Sequence, residues 1–97
     1  MFSYKIHRSE NDTVLAVADS DIVGKKFSRG GLEINVSREF YSESEASESV
    51  LIELMQDVTI VNAIGERAIA MLVKNKLVDK ADVANVCGLP HAQIICL

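Results

Sequence analysis

The chain has 97 residues, a formal net charge of −4 at pH 7, and a composition that is 48% hydrophobic and 25% charged. This length supports one hydrophobic core but not two independent ones, so a single domain is predicted over residues 1–97. The composition excludes a fibrous or wholly disordered chain, and the acidic balance disfavours a protein that coats nucleic acid with its whole surface. A local basic patch remains compatible with that balance.

No stretch approaches the roughly 18 consecutive apolar residues of a transmembrane helix. The start of the chain, MFSYKIHRSE, alternates where a signal peptide would be apolar, so we expect a soluble cytoplasmic protein without membrane contact. In that compartment Cys87 and Cys96 are expected to be free thiols. Together with His91 and the distant His7 they lack the paired spacing of a zinc site, so neither a metal nor a cofactor is predicted.

Alternating apolar residues predict three strands in the first part of the chain. Residues 2–9 (FSYKIHRS) and 13–19 (TVLAVAD) are separated by turn-forming residues and predict a hairpin. Residues 32–37 (LEINVS) alternate again. The pattern therefore predicts an antiparallel meander of three strands.

The spacing of apolar residues then becomes helical. Ser42 followed by Glu45 forms a capping-box pattern and predicts the start of a first helix that extends to Met55. A second helix is predicted from about Val58 to Lys76, although its start, VTIV, is also compatible with a short strand.

The last quarter of the chain predicts a short third helix and a final strand. Asp79 is positioned to cap a helix over residues 80–86, Gly88 to close it, and residues 92–97 (AQIICL) to form the strand. The predicted fold class is α+β: a two-layer sandwich of a mainly antiparallel sheet with two main helices on one face.

The first candidate site follows Pro90. In a strand that begins here, His91 and Gln93 share one face, and histidine is the side chain that titrates nearest neutral pH. The pair is therefore suited to orienting a ligand or transferring a proton. The alternative is a histidine that binds backbone groups at the start of a strand.

The second candidate site is the stretch NAIGERA. Asn62, Gly65 and Glu66 are spaced by three and four residues, so on the predicted second helix they share one edge. A glycine inside a helix costs about 1 kcal/mol relative to alanine, which indicates that another group approaches the backbone closely. That group is either a packed strand or a ligand.

The third candidate site is the stretch GKKFSRGG. Lys25, Lys26 and Arg29 lie among glycines, and Phe27 interrupts the basic residues. Cations interleaved with an aromatic residue suit a protein that holds phosphate while stacking a base. The alternative is that Phe27 anchors the loop in the core and the cations are only solvated.

The stretches KIHR, GKKF, VSREFY, NAIGERA and GLPHAQI, in this order, resemble a family of short archaeal proteins classed as domain of unknown function 424. The resemblance implies an α/β two-layer fold and a cytosolic archaeal protein, and it implies no established activity. Its recurring positions correspond to Gly24, Lys25, Phe27, Asn62, Gly65, Glu66, Pro90, His91, Ala92 and Gln93.

These observations favour a non-enzymatic binding module that contacts RNA or a ribonucleoprotein partner, and the resemblance implies an association with the translation apparatus. The basic loop would bind phosphate, and the corner formed by Asn62, Glu66, His91 and Gln93 would add specific hydrogen bonds. The alternative is a small enzyme in which His91 and Glu66 form an acid/base pair. A third hypothesis is a structural subunit whose polar corner packs against a partner protein or a second copy of the chain.

Overall fold

The computed structural model describes residues 1–96. Its main sheet has six strands in the order β5-β1-β2-β6-β8-β7, and a separate hairpin is formed by β3 and β4. The strands are β1 (Phe2–Arg8), β2 (Thr13–Asp19), β3 (Lys26–Arg29), β4 (Leu32–Asn35), β5 (Ser44–Ala46), β6 (Ile60–Ile64), β7 (Ala84–Val86) and β8 (Leu89–Ile95). The helices are α1 (Arg38–Tyr41), α2 (Glu48–Leu54) and α3 (Glu66–Lys74), with 3-10 turns at Ser20–Ile22, Met55–Asp57 and Lys80–Asp82.

The predicted fold class is confirmed. Every strand pair of the main sheet is antiparallel except β2 with β6. Both longer helices, α2 and α3, pack on one face of this sheet, where Leu51 and Leu72 meet Leu15 and Val61 in one fully buried cluster. Burial of such side chains contributes roughly 2 kcal/mol each, so this cluster is the main source of stability.

The opposite face of the main sheet, which we call the hairpin face, is partly covered by the β3–β4 hairpin and α1. A second buried cluster forms there, in which Ala16, Ala18 and Ile64 of the sheet pack against Tyr41, with Phe27 of the hairpin at its margin. Because side chains alternate along a strand, residues two positions from these, such as Asn62 on β6, point toward the hairpin and away from α2 and α3.

The predicted three-stranded meander is wrong in its third strand. The β1–β2 hairpin is confirmed, but β4 pairs only with β3, and β2 pairs in parallel with β6. Residues 15–18 of β2 are fully buried, so this strand lies between two others and is covered on both faces. In contrast Leu32 of β4 is 59% exposed, and alternation alone does not distinguish such a peripheral strand from one in the main sheet.

The predicted start of the first helix is also wrong. Ser37 instead caps the short helix α1, and its hydroxyl accepts a hydrogen bond from the Phe40 amide at 3.1 Å. The residues of the supposed capping box lie before and within β5, the edge strand that pairs with β1, and α2 begins at Glu48. Two candidate N-terminal caps, Ser37 and Ser42, are five positions apart, and the pairing of β5 with β1 decides between them.

The predicted second and third helices differ from the structure in their strand content. Residues 60–64 form β6, as the strand alternative for VTIV allowed, and the helix begins only at Glu66. Residues 80–86 form a 3-10 turn followed by β7. Gly88 does not close a helix, because it forms the β7–β8 turn with Cys87, and both have positive φ angles. The predicted last strand begins earlier, as β8, and its final residue, Leu97, lies outside the described residues.

Candidate functional site

The pairing of β6 with β8 brings two of the predicted site residues together. Asn62 is opposite Gln93 and Ile64 is opposite His91, so Asn62 and His91 are diagonal neighbours on the hairpin face. The His91 Nε2 atom lies 3.1 Å from Asn62 Oδ1. Because an amide oxygen only accepts hydrogen bonds, Nε2 is the nitrogen that carries the proton.

Tyr41 of α1, which packs on the hairpin face of the sheet, also contacts Asn62. Its hydroxyl donates to the same Asn62 Oδ1 atom at 2.9 Å, and burial raises the pKa of Tyr41 to about 12. We call Tyr41, Asn62 and His91 the amide cluster. Sequence reasoning missed Tyr41, although a tyrosine in an apolar position is a usable signal, because a buried hydroxyl requires a partner.

The surroundings of His91 favour its neutral form. Burial lowers its pKa from the ordinary value of 6.5, because the charged imidazolium is less stable away from water. The neutral ring with a proton on Nε2 leaves a lone pair on Nδ1. The histidine of the amide cluster is therefore a hydrogen-bond donor on one side and an acceptor on the other.

The close approach predicted at Gly65 is made by a strand. Gly65 lies before α3 and not within a helix, with a φ angle of +114°, and an added Cβ there would be 2.6 Å from Asp19 Cγ. The Asp19 carboxylate accepts hydrogen bonds from the amides of Arg67 at 3.0 Å and Ala68 at 2.7 Å. Gly65 therefore makes room for the residue that caps α3.

Glu66 and Gln93 lie apart from the hydrogen bonds of the amide cluster. Glu66 is exposed at the start of α3 and lines a groove with Pro90 on the helix-covered side of the sheet. His91 points to the hairpin face, and within residues 1–96 no hydrogen bond joins it to Glu66. Gln93 is exposed beside Asn62. The structure thus brings Asn62, His91 and Gln93 onto one face and leaves Glu66 on the other.

The β3–β4 hairpin and Lys25, which precedes it, carry the predicted basic residues, and we call this segment the basic hairpin. It lies on the same face of the sheet as the amide cluster. Lys25, Lys26 and Arg29 are exposed, whereas Phe27 is partly buried against the sheet, as the anchoring alternative predicted. The Arg29 guanidinium lies against the β7–β8 turn, since a Cβ on Gly88 would be 3.0 Å from its Nη2 atom. Two of the three candidate stretches therefore meet at the point where the chain enters β8.

Within residues 1–96, no carboxylate forms a salt bridge with the cations of the hairpin. In the described part of the chain, the one salt bridge joins Lys74 to Glu48, at 2.8 Å on the far side of the molecule. The hairpin itself carries a single carboxylate, Glu33, on β4. A positively charged surface therefore lies beside the amide cluster in a protein whose overall charge is negative.

An aromatic pair, of which Phe40 is exposed and His7 half-buried, lies at the β1 side of the hairpin face. The rings of His7 and Phe40 stack with centroids 4.6 Å apart and planes 22° apart, and His7 Nε2 donates to the Phe40 carbonyl oxygen at 2.8 Å. Phe40 is 36% exposed. Sequence reasoning did not select either ring as a site residue, because β1 and α1 are distant along the chain.

Residues 1–96 contain no group of three or more His, Cys, Asp or Glu side chains that could hold a metal ion. No helix among them is long and apolar enough to cross a membrane.

Comparison with known proteins gives a family but no activity. A family model described as "Protein of unknown function (DUF424)" matches residues 7–97. A crystal structure of an uncharacterized conserved protein from the archaeon Methanopyrus kandleri is similar, with a TM-score of 0.84 and 26% sequence identity. The match covers 99% of this chain and 91% of that chain. The comparison with curated proteins gives no match.

Proposed function

The chain belongs to the DUF424 family of proteins of unknown function, and we propose that it is an RNA-binding module. In this proposal Lys25, Lys26 and Arg29 contact the phosphates of an RNA strand that crosses the hairpin face. The setting we propose is an archaeal cytoplasm, where the RNA is part of a ribonucleoprotein of the translation apparatus.

The observation that carries the proposal is the position of the basic hairpin. Three exposed cations, which form no salt bridge within residues 1–96, lie on the face of the sheet that also presents Asn62, His91 and Gln93. Phosphate contacts supply most of the affinity of RNA-binding proteins, and neighbouring polar groups supply the selectivity. A catalytic role for His91 with Glu66 has no comparable support, since the two side chains lie on opposite sides of the sheet.

The aromatic pair adds a second kind of contact. Stacking of a base on an aromatic ring contributes about 1–3 kcal/mol in proteins that bind single strands. His7 on β1 and Phe40 on α1 lie on the hairpin face, so a strand that continues from the hairpin toward β1 would reach them. The three features together provide phosphate binding, stacking and hydrogen bonding on one face.

The salt dependence of binding tests this proposal. Three phosphate contacts predict that the affinity of the protein for a mixed-sequence single-stranded RNA falls roughly 20-fold between about 50 and 200 mM salt. Fluorescence anisotropy with a labelled oligonucleotide measures this change. An affinity that does not respond to salt, or the absence of binding at the lower salt concentration, would contradict the proposal and leave a protein partner as the explanation for this surface.

A further inference from the structure

We propose that the groove between α3 and β7 binds an extended peptide segment of a partner protein, which joins the sheet as an additional strand beside β7. From its N-terminus, this segment carries a basic, an apolar and an acidic residue at alternate positions. The inference goes beyond the proposed function, because the groove lies on the helix-covered side of the sheet and RNA is proposed to cross the hairpin face.

The groove is large and mainly apolar. It has a volume of about 650 Å³, with Ile69 and Val73 of α3 on one side and Val83 and Pro90 on the other. A cavity of this size accommodates a large side chain, and burial of an apolar side chain is favourable because it removes apolar surface from water. The groove is therefore suited to holding one apolar anchor of a partner.

The strand that borders the groove, β7, is at the edge of the main sheet. A two-residue turn joins it to β8, so the residues that close the turn, Val86 and Leu89, form a hydrogen-bonded pair. Such pairs alternate with pairs that are not hydrogen-bonded, and Asn85 with Pro90, which lacks an N–H, is one of the latter. The N–H and C=O of Asn85 therefore point to the open edge, where an added strand can bind them.

Opposite charges lie at the two ends of the groove. Glu66 lies at the end near Pro90, because the amide of the preceding Gly65 donates to the Pro90 carbonyl oxygen at 3.0 Å. Lys74 is the last residue of α3, and Lys80 lies in the 3-10 turn before β7, so both lie toward the other end. A partner with an apolar centre and opposite charges at its two ends is complementary to this arrangement.

Lys80 is the cation that remains available to a partner. Lys74 already forms the salt bridge with Glu48 at 2.8 Å, whereas Lys80 forms no salt bridge within residues 1–96. The neighbouring Asp79 and Asp82 line a separate cavity and not this groove. An acidic residue of the partner can therefore pair with an unpaired cation at this end of the groove, and a basic residue with a carboxylate at the other end.

The length of the groove determines the spacing of these residues in the partner. Helix α3 advances about 12 Å from Glu66 to Lys74, and a strand advances about the same distance over four residues. The first, third and fifth residues of a strand share one face, so these three face the groove. An antiparallel strand, the more stable kind of pairing, begins opposite Asn85 and runs toward Lys80, which gives the order basic, apolar, acidic.

NMR titration of the wild-type protein with acetyl-Lys-Thr-Leu-Thr-Glu-amide tests the inference. Binding should change the signals of Ile69, Val73, Lys80 and Asn85 and leave those of the hairpin face unchanged. The control peptide, acetyl-Glu-Thr-Leu-Thr-Lys-amide, has the same composition and should bind about fivefold more weakly, because each of its charges then meets a like charge. Equal affinities for the two peptides would overturn the proposed recognition.

N-methylation of the peptide tests whether it binds as a strand. In the antiparallel arrangement the N–H of its first residue donates to the Asn85 carbonyl oxygen, while the N–H of its second residue points away from β7. A methyl group on the first nitrogen should therefore abolish binding, and a methyl group on the second should leave it nearly unchanged. Equal effects of the two methyl groups would show that no strand is added at this edge.

Charge reversal at Lys80 tests the acidic position of the peptide. Lys80→Glu should bind acetyl-Lys-Thr-Leu-Thr-Glu-amide about fivefold more weakly, and it should bind acetyl-Lys-Thr-Leu-Thr-Lys-amide more tightly than the wild-type protein does. Lys76→Glu is the matched control, because this exposed lysine lies outside the groove. The same loss in both variants would overturn the pairing with Lys80.

The outcomes separate this inference from the proposed function. Salt-dependent RNA binding by a protein that binds neither peptide would overturn the inference and leave the proposed function in place. Peptide binding at the groove of a protein that binds no RNA would support the inference and contradict the proposed function. Changes in the Asn85 signal that grow with protein concentration in the absence of peptide would assign the open edge to a second copy of the chain and overturn the inference.

Discussion

Replacement of Gly65 by alanine is expected to lower the free energy of unfolding by about 3 kcal/mol. The φ angle of +114° strains any residue with a side chain, and the new Cβ would be 2.6 Å from Asp19 Cγ. Asp19 cannot retreat without losing its hydrogen bonds to the Arg67 and Ala68 amides at the start of α3. The backbone strain and the steric clash therefore add.

Urea denaturation of a small set of variants separates these two contributions. Gly30→Ala is the control, because Gly30 also has a positive φ angle, of +59°, but no atom would lie within 4 Å of the new Cβ. Gly30→Ala should lower the free energy of unfolding by about 1 kcal/mol. Asp19→Ala alone should lower the free energy of unfolding by about 1–2 kcal/mol, because α3 loses its cap. When Asp19 is already alanine, Gly65→Ala should lower the free energy of unfolding by less than it does in the wild-type protein. If the double variant loses as much stability as the two single variants together, or if Gly65→Ala is as stable as wild type, this account of Gly65 is contradicted.

The largest functional effect is expected from reversing the charge of the basic hairpin. In Lys25→Glu/Lys26→Glu/Arg29→Glu, loss of three phosphate contacts predicts roughly 100-fold weaker RNA binding at about 0.1 M salt. All three side chains are exposed, so the fold should be unaffected. Fluorescence anisotropy measures the affinity, and circular dichroism checks the fold.

The matched control reverses three exposed cations elsewhere. Arg8→Glu/Lys76→Glu/Lys80→Glu makes the same change in net charge but leaves the hairpin intact. If contact with the hairpin decides binding, this variant should keep most of its affinity. An equal loss in both triple variants would mean that only the overall charge matters, and the hairpin would no longer be the binding surface.

The sequence predicts a strand of the sheet most clearly where one face of the strand is buried and the other is polar. The alternation in β1 and β8 is clear for this reason, and it placed His91 and Gln93 on one face and Ala92 on the other. The period of β6 was less informative, because its apolar residues contact both buried clusters. A strand that is buried on both faces lacks a polar side and resembles a helix segment.

The composition of the amide cluster required long-range information. Asn62 and His91 are neighbours only through the register of β6 against β8, and Tyr41 reaches them only because α1 packs over the sheet. Similarly, the sequence indicated close approach at Gly65 without indicating that Asp19, 46 positions earlier, is the group that approaches. Local patterns describe which side of an element is polar, while strand pairing and packing decide which polar sides meet.

The proposed RNA-binding surface is tested most directly by mapping the contact of the wild-type protein with single-stranded RNA through changes in its backbone amide NMR signals. The largest changes are predicted in residues 25–35 and at Asn62, His91 and Gln93, with α2 and α3 nearly unchanged. Changes centred on α2 and α3, or no changes with a strand that spans the hairpin face, would contradict the assignment of this face as the RNA-binding surface.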